Sequence, residues 1–281
     1  MDAAGKLVLG TVQFGCQYGI NSAGRPDPDA VRDILAHASV FGLRTLDTSS
    51  AYGNSEEVLG GALGTSGGWR IVSKYPKGAG DVGTAFRGSL SRLGVGKLYG
   101  YLLHHFEVWK GNPAVWEDFR ALRAEGLVRK IGFSLYSPEE LELLLEKDVD
   151  FDLLQIPRNL FDRKFDPYLD SLAERGVEVH VRSTFLQGLF FKDRDTLPEK
   201  LQPLRPALVA LDGAAASRGV SVADLALAFN LRDSRIGGVL IGVDNKDQLV
   251  ANVMSAGRSV EIEGLDFEIA DPALLNPVNW K

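Results

Sequence analysis

The strongest constraint in this chain is a spacing. Short apolar runs end near residues 12, 46, 73, 103, 132, 156 and 181, a quasi-repeat of roughly 25–35 residues, the length of one strand followed by one helix. An eighth run, Gly238-Val239-Leu240-Ile241, follows a longer interval. Continuous apolar runs of this kind suit parallel strands buried on both faces. Between them lie amphipathic stretches: 29–41, with Asp29 read as cap and Gly42 as stop, then 55–63, 82–93, 114–124 and, after Ser137-Pro138, a further helix. Eight strands alternating with helices predict a closed (β/α)8 TIM barrel in the α/β class. The competing arrangement is a Rossmann-like open sheet, but no Gly-x-Gly-x-x-Gly follows the first run.

The 281 residues exceed a minimal barrel. The surplus falls in an extra helical segment at about 204–232 and a C-terminal tail at about 258–281, so one domain over residues 1–281 is expected. Gly64-Thr65-Ser66-Gly67-Gly68 is too short for a domain linker. Apolar residues make up 45% and charged residues 24%, which excludes disorder and fibrous classes. A net charge of −6 without a basic stripe gives no support to a nucleic-acid partner. One cysteine, Cys16, makes no internal disulfide, and no cluster has metal-ligand spacing. A reducing cytoplasm, no resident metal and no membrane partner are therefore expected, because no apolar stretch approaches 18 residues and the N-terminus lacks a signal segment.

Barrel enzymes build their sites on the loops after the C-terminal strand ends. Here those positions hold Asp47, Tyr52, Lys74, His104 and His105. Each has an ordinary structural explanation alone, such as a turn cap, a solvated lysine or a packed ring. Together they form a proton-donating set. A phenol of reference pKa about 10 needs its anion stabilised, and an ammonium about 4 Å away offers roughly 4 kcal/mol at an effective dielectric of about 20, a shift of about three units. Asp47 would keep Lys74 charged, and His104 would orient a carbonyl oxygen. A lysine at a strand end also permits Schiff-base chemistry, as in a barrel aldolase or lyase, and a non-catalytic cofactor-binding sensor is a third reading.

Residues 46–56, Leu-Asp-Thr-Ser-Ser-Ala-Tyr-Gly-Asn-Ser-Glu, then Val72-Ser73-Lys74, Tyr101-Leu102-Leu103-His104 and Lys130-Ile131-Gly132-Phe133-Ser134, resemble the successive motifs of the aldo-keto reductase superfamily. The resemblance runs from about Leu7 to Asn252. It implies a nicotinamide-dependent oxidoreductase that reduces an aldehyde, ketone or sugar carbonyl, with Asp47, Tyr52, Lys74 and His104 as catalytic residues and Tyr52 as proton donor. It further implies a dinucleotide held by Thr11, Ser134, Gln155, Asn159, Arg182, Ser183, Gly242, Lys246, Gln248 and Asn252. NADP(H) is the expected form, with NAD(H) possible because Asp244 opposes a 2′-phosphate while Lys246 compensates. The substrate is expected near His105, Trp109 and Trp280, the two indoles either forming an aromatic clamp or packing a loop and the tail against the barrel.

The chain departs from the pattern at three places. Leu135 replaces a common asparagine, Arg158 an aromatic, and Arg182 the aromatic that commonly stacks on the nicotinamide. A cation there repels the oxidised ring more than the reduced one, or else holds an anionic group of substrate or cofactor.

Overall fold

The computed structural model describes residues 3–22, 24–64 and 68–280. Most of the glycine-rich run at 64–68 lies outside them, as do the two N-terminal residues and the last residue of the tail. Eight parallel strands close into one barrel in sequence order. They are β1 (Leu7–Gly10), β2 (Thr45–Asp47), β3 (Arg70–Tyr75), β4 (Leu98–Leu103), β5 (Val128–Ser134), β6 (Leu153–Pro157), β7 (Glu178–Arg182) and β8 (Gly238–Gly242). β8 pairs with β1 to complete the ring. The strand predicted over residues 7–12 stops at Gly10, and Val12–Gly15 turns helical.

Side-chain alternation sorts each strand into two faces. Leu7, Leu9, Leu46, Ile71, Tyr101, Leu103, Val179 and Val181 point outward into the core beneath the helices. Val72, Leu102 and Leu153 meet inside the barrel as a small apolar plug. One step further along, the inward position becomes Asp47 on β2, Lys74 on β3, Ser134 on β5, Gln155 on β6 and Arg182 on β7, with Gly10 and Gly242 at the ends of β1 and β8. An apolar plug thus carries a polar layer at the C-terminal mouth.

The helices that follow begin where local chemistry allows. Pro28–Val40 is capped by Asp27, whose carboxylate accepts from the Ala30 N–H; Asp29, expected as the cap, lies inside the first turn. Pro at the first helical position made the preceding aspartate the better boundary. Pro138–Glu146 opens with a Ser137–Glu140 capping box. The surplus length between β7 and β8 forms Arg205–Ser217 and Val222–Leu231 after several short 3-10 turns. These pack with Leu274 and Leu275 of the tail into a satellite core beside the mouth. Among the described residues no helix is long and apolar enough to cross a membrane.

Candidate active site

Lys74 organises the mouth. It is fully buried, and its ammonium donates to Asp47 Oδ1 at 2.6 Å, to the Thr48 carbonyl at 3.0 Å and to the Tyr52 hydroxyl at 3.3 Å. All three N–H bonds are thereby used. Across the barrel, Gln155 Nε2 donates to the other Asp47 oxygen at 2.7 Å, tying β6 to β2. Such a buried pair adds little net stability, because desolvation offsets its attraction, but removing either partner strands a charge.

Tyr52 sits on a loop that glycine makes possible. A Cβ at Gly15 would lie 1.7 Å from the Tyr52 carbonyl oxygen, and one at Gly53, at φ +58°, would lie 2.4 Å from the Gly15 carbonyl oxygen. Only glycine permits that approach, which presses the turn after β1 against the tyrosine loop. The phenol departs from expectation. Its pKa is raised well above 10, by burial first and then by Asp47 and Tyr136, with Arg182 opposing. Burial and Asp47 outweigh the lowering the sequence suggested from Lys74, whose ammonium the same carboxylate pairs at 2.6 Å. Tyr52 is held as the neutral acid.

His104 presents its ring edge-on to Tyr52, centroids 5.6 Å apart. Burial, helped by Lys74, His105 and Arg182, pushes its pKa down to about 2, so it is neutral through the physiological range. Ser49 Oγ lies 3.2 Å from His104 Nδ1 and accepts from the Ala51 N–H. A Ser49 hydroxyl that donates to Nδ1 goes with the tautomer in which Nε2 carries the ring proton. His105 is the next ring, exposed and 4.6 Å from His104.

The remaining expected residues divide. Ser134 is buried at the mouth, and Gln155, with its amide nitrogen committed to Asp47, has its oxygen left to offer. Thr11 is fully buried and its hydroxyl bonds the Asp47 carbonyl and Ser55, so it builds the β1–β2 junction instead of facing a ligand. Asn159 likewise serves the loop: its amide donates to the Ser183 carbonyl and accepts from the Phe161 and Asp162 N–H groups. Ser183 adopts φ +63°. Gly242 leaves room for Gln13, whose side chain a Cβ would meet at 2.4 Å. Lys246 lies 3.5 Å from Asp33 on the surface, Gln248 accepts from the Asp244 N–H, and Asn252 is buried on the same helix. Arg158 turns away from the mouth into an anchor with Asp166, Asp233 and Asn230, over the Phe229 ring.

The aromatic clamp does not form. Trp109 is buried against Phe106 and Phe133 in the helix-facing core. Trp280 packs on the satellite core and donates to the Leu274 carbonyl. Three mouth residues were not foreseen. Tyr136 lies beneath the Arg182 guanidinium at 4.1 Å, Tyr18 accepts from Gln187 Nε2 at 2.8 Å, and Gln13 holds a buried oxygen without a partner. The only sequence signal was their position just after a strand.

Residues 6–264 match the aldo/keto reductase family. Relatives include L-galactose dehydrogenase of Arabidopsis thaliana, 27% identical over 278 residues covering 90% of this chain and 86% of that one. An aldo-keto reductase of Mycobacterium sp. (strain KMS) is 37% identical over 139 residues, 46% of this chain and 49% of the relative. L-glyceraldehyde 3-phosphate reductase of Escherichia coli (strain K12) is 31% identical over 173 residues, 51% and 50%. The matched stretch thus spans about half the length of the last two. The fold is that of aldo-keto reductase AKR11C1 from Bacillus halodurans in its holo form, with a TM-score of 0.75 at 23% identity over 91% of this chain and 88% of that one. With its barrel, the polar layer at its mouth and a family match over nearly all its length, the chain belongs to the aldo/keto reductase family.

Proposed function

We propose that this chain is an NAD(P)H-dependent carbonyl reductase in which Tyr52 delivers the proton to the carbonyl oxygen. The observation that carries the reading is the Lys74 ammonium, set between the Asp47 carboxylate at 2.6 Å and the Tyr52 hydroxyl at 3.3 Å. When Tyr52 loses its proton, the Lys74 N–H is already in line to hold the phenolate. His104, neutral and with Nε2–H free, donates to the carbonyl oxygen and orients it. Buried polar atoms without partners lie at the mouth, Gln13 Oε1 and Arg182 Nε, and a ligand with both donors and acceptors satisfies them. A nicotinamide dinucleotide is such a ligand, and when bound in reduced form it supplies the hydride. Ser134 and the Gln155 oxygen would hold its carboxamide; Gly242, Lys246, Gln248 and Asn252 would hold its adenosine end.

NADP(H) is the preferred form in this reading. The exposed Lys246–Asp33 pair is worth at most about 1 kcal/mol, so Lys246 is readily drawn to a 2′-phosphate. Competition between the two reduced cofactors in one assay decides it. The Schiff-base reading loses support from the same geometry, since Lys74 has no free lone pair and no open approach. The relatives' names frame the substrate as a small polyhydroxylated carbonyl compound, one named for a phosphate ester and one for a neutral sugar. A reducing cytoplasm suits the free thiol of Cys16, and we read the whole chain as one barrel domain. Tyr52→Phe tests the mechanism: turnover of a panel of aldehydes, ketones and sugars falls by about 100-fold or more while cofactor binding persists. Retained turnover would refute it.

A further inference from the structure

Arg182 ends β7, and alternation with the outward-facing Val179 and Val181 turns its side chain into the barrel mouth. A guanidinium has five N–H donors. Two are used here, one to the Leu135 carbonyl at 3.1 Å and one to Ser183 Oγ at 3.4 Å, while Nε is buried with no partner. The Tyr136 ring lies 4.1 Å from the guanidinium carbon and holds the intrinsically planar group in place. No carboxylate among the described residues forms an ion pair with it. Glu140, which shares its field, is committed to the Tyr136 and Ser137 N–H groups at a helix start. Lys74 is paired with Asp47, whereas Arg182 is partly buried with spare donors and no carboxylate in ion-pair contact, Glu140 reaching it only through its field. Its field reaches both Tyr52 and His104. Groups of this kind are completed by an anion, and the planar fork favours a carboxylate or phosphate.

We propose that Arg182, held by Tyr136, recognises an anionic substituent on the carbonyl substrate, so that the enzyme prefers aldehydes carrying a carboxylate or phosphate to their neutral counterparts. This rests on the reductase reading above. It is tested with two matched pairs: 4-oxobutanoate against its methyl ester, and glyceraldehyde 3-phosphate against glyceraldehyde. The wild-type kcat/KM ratio of anionic to neutral substrate is expected at about 10- to 100-fold in at least one pair, and the pair that shows it separates carboxylate from phosphate. Arg182→Gln collapses that ratio toward one. Arg182→Lys, which keeps the charge but loses the fork and the stacking, retains part of it and serves if the glutamine variant does not fold.

A wild-type ratio within about threefold of one in both pairs overturns the proposal, as does a ratio that Arg182→Gln leaves unmoved. So does a weakened affinity for reduced cofactor in Arg182→Gln, read by nucleotide fluorescence, with the ratio intact. A binding arm separates this failure from failure of the reductase reading. Calorimetry with succinate and with inorganic phosphate, neither reducible, is expected to show binding to wild type that is lost in Arg182→Gln. If no carbonyl compound is turned over but this anion binding is present, the reductase reading fails and the anion site stands. If both anions bind equally to the two proteins, the anion site fails.

Discussion

Acidification from about pH 7.5 to about pH 5 perturbs one group at the mouth above all, His104. Its pKa is pushed down to about 2 in the folded chain from an ordinary 6.5. A group depressed on folding contributes stability that is fully present above its unfolded pKa and lost as the pH falls toward the folded one. In the window from 6.5 down to about 2 the unfolded chain therefore takes up a proton that the folded chain refuses. Each pH unit in that window removes about 1.4 kcal/mol, so the loss at pH 5 is about 2 kcal/mol. Against a typical folding stability of about 5–15 kcal/mol this is readily measured. Urea unfolding of wild type and His104→Asn at both pH values gives the double difference: wild type loses about 2 kcal/mol more than the variant. His105 is also depressed by burial and by Lys77, but it acts in both proteins and cancels. The carboxylates are common to both proteins and drop out of the double difference in the same way. Equal losses in the two proteins would refute the claim that His104 is buried neutral, and with it the assignment of Nε2–H as a standing donor.

Three further outcomes follow from the same geometry. Asp47→Asn or Lys74→Met alone each destabilises by about 3–5 kcal/mol in urea unfolding, and the double variant recovers most of the loss although it remains inactive; additive losses would mean that the pair is solvated. Gly15→Ala forces the Tyr52 carbonyl to move and lowers kcat by about 10- to 100-fold with a smaller change in KM, measured by steady-state kinetics. Arg182→Tyr removes a cation from the mouth and raises affinity for oxidised relative to reduced cofactor, read by titration of both forms; an unchanged ratio removes the repulsion argument.

The barrel was legible because strand spacing and buried apolar runs are local patterns with a single common solution. The same holds for Asp47, Lys74 and His104, since alternation sends every second residue at a strand end into the mouth and the outward neighbours Leu46, Tyr75 and Leu103 are apolar or aromatic. What was not legible depended on contacts between distant loops. Trp109 looked like a pocket wall in a polar loop, yet Phe133, two dozen residues on, offered it a core. Arg158 looked like a departure from a ligand motif, and its purpose appears only when Asp166, Asn230 and Asp233 close around it. The protonation of Tyr52 is likewise set by groups that a pairwise reading of the sequence leaves out. A pairwise attraction between Lys74 and a phenol ignores both the desolvation of the phenol and the carboxylate that has already taken the charge.

The Asp47 carboxylate shapes the mouth as an electrostatic object. A bare ammonium beside the phenol would have made Tyr52 a stronger acid at rest and tempted it to ionise before substrate arrived. With Asp47 in place the resting site holds a protonated phenol, a neutral imidazole and an internally balanced pair, three states fixed by burial instead of by pH. In the proposed reaction the Lys74 N–H, already on the Tyr52 hydroxyl, gains strength as negative charge develops on that oxygen, so its stabilisation favours the transition state. Arg182 stands outside this balance, with a partnerless Nε and no ion pair among the described residues. On the proposal made above, the anion that completes it arrives with the ligand, so a substrate's charge is selected by a group already set in the resting protein.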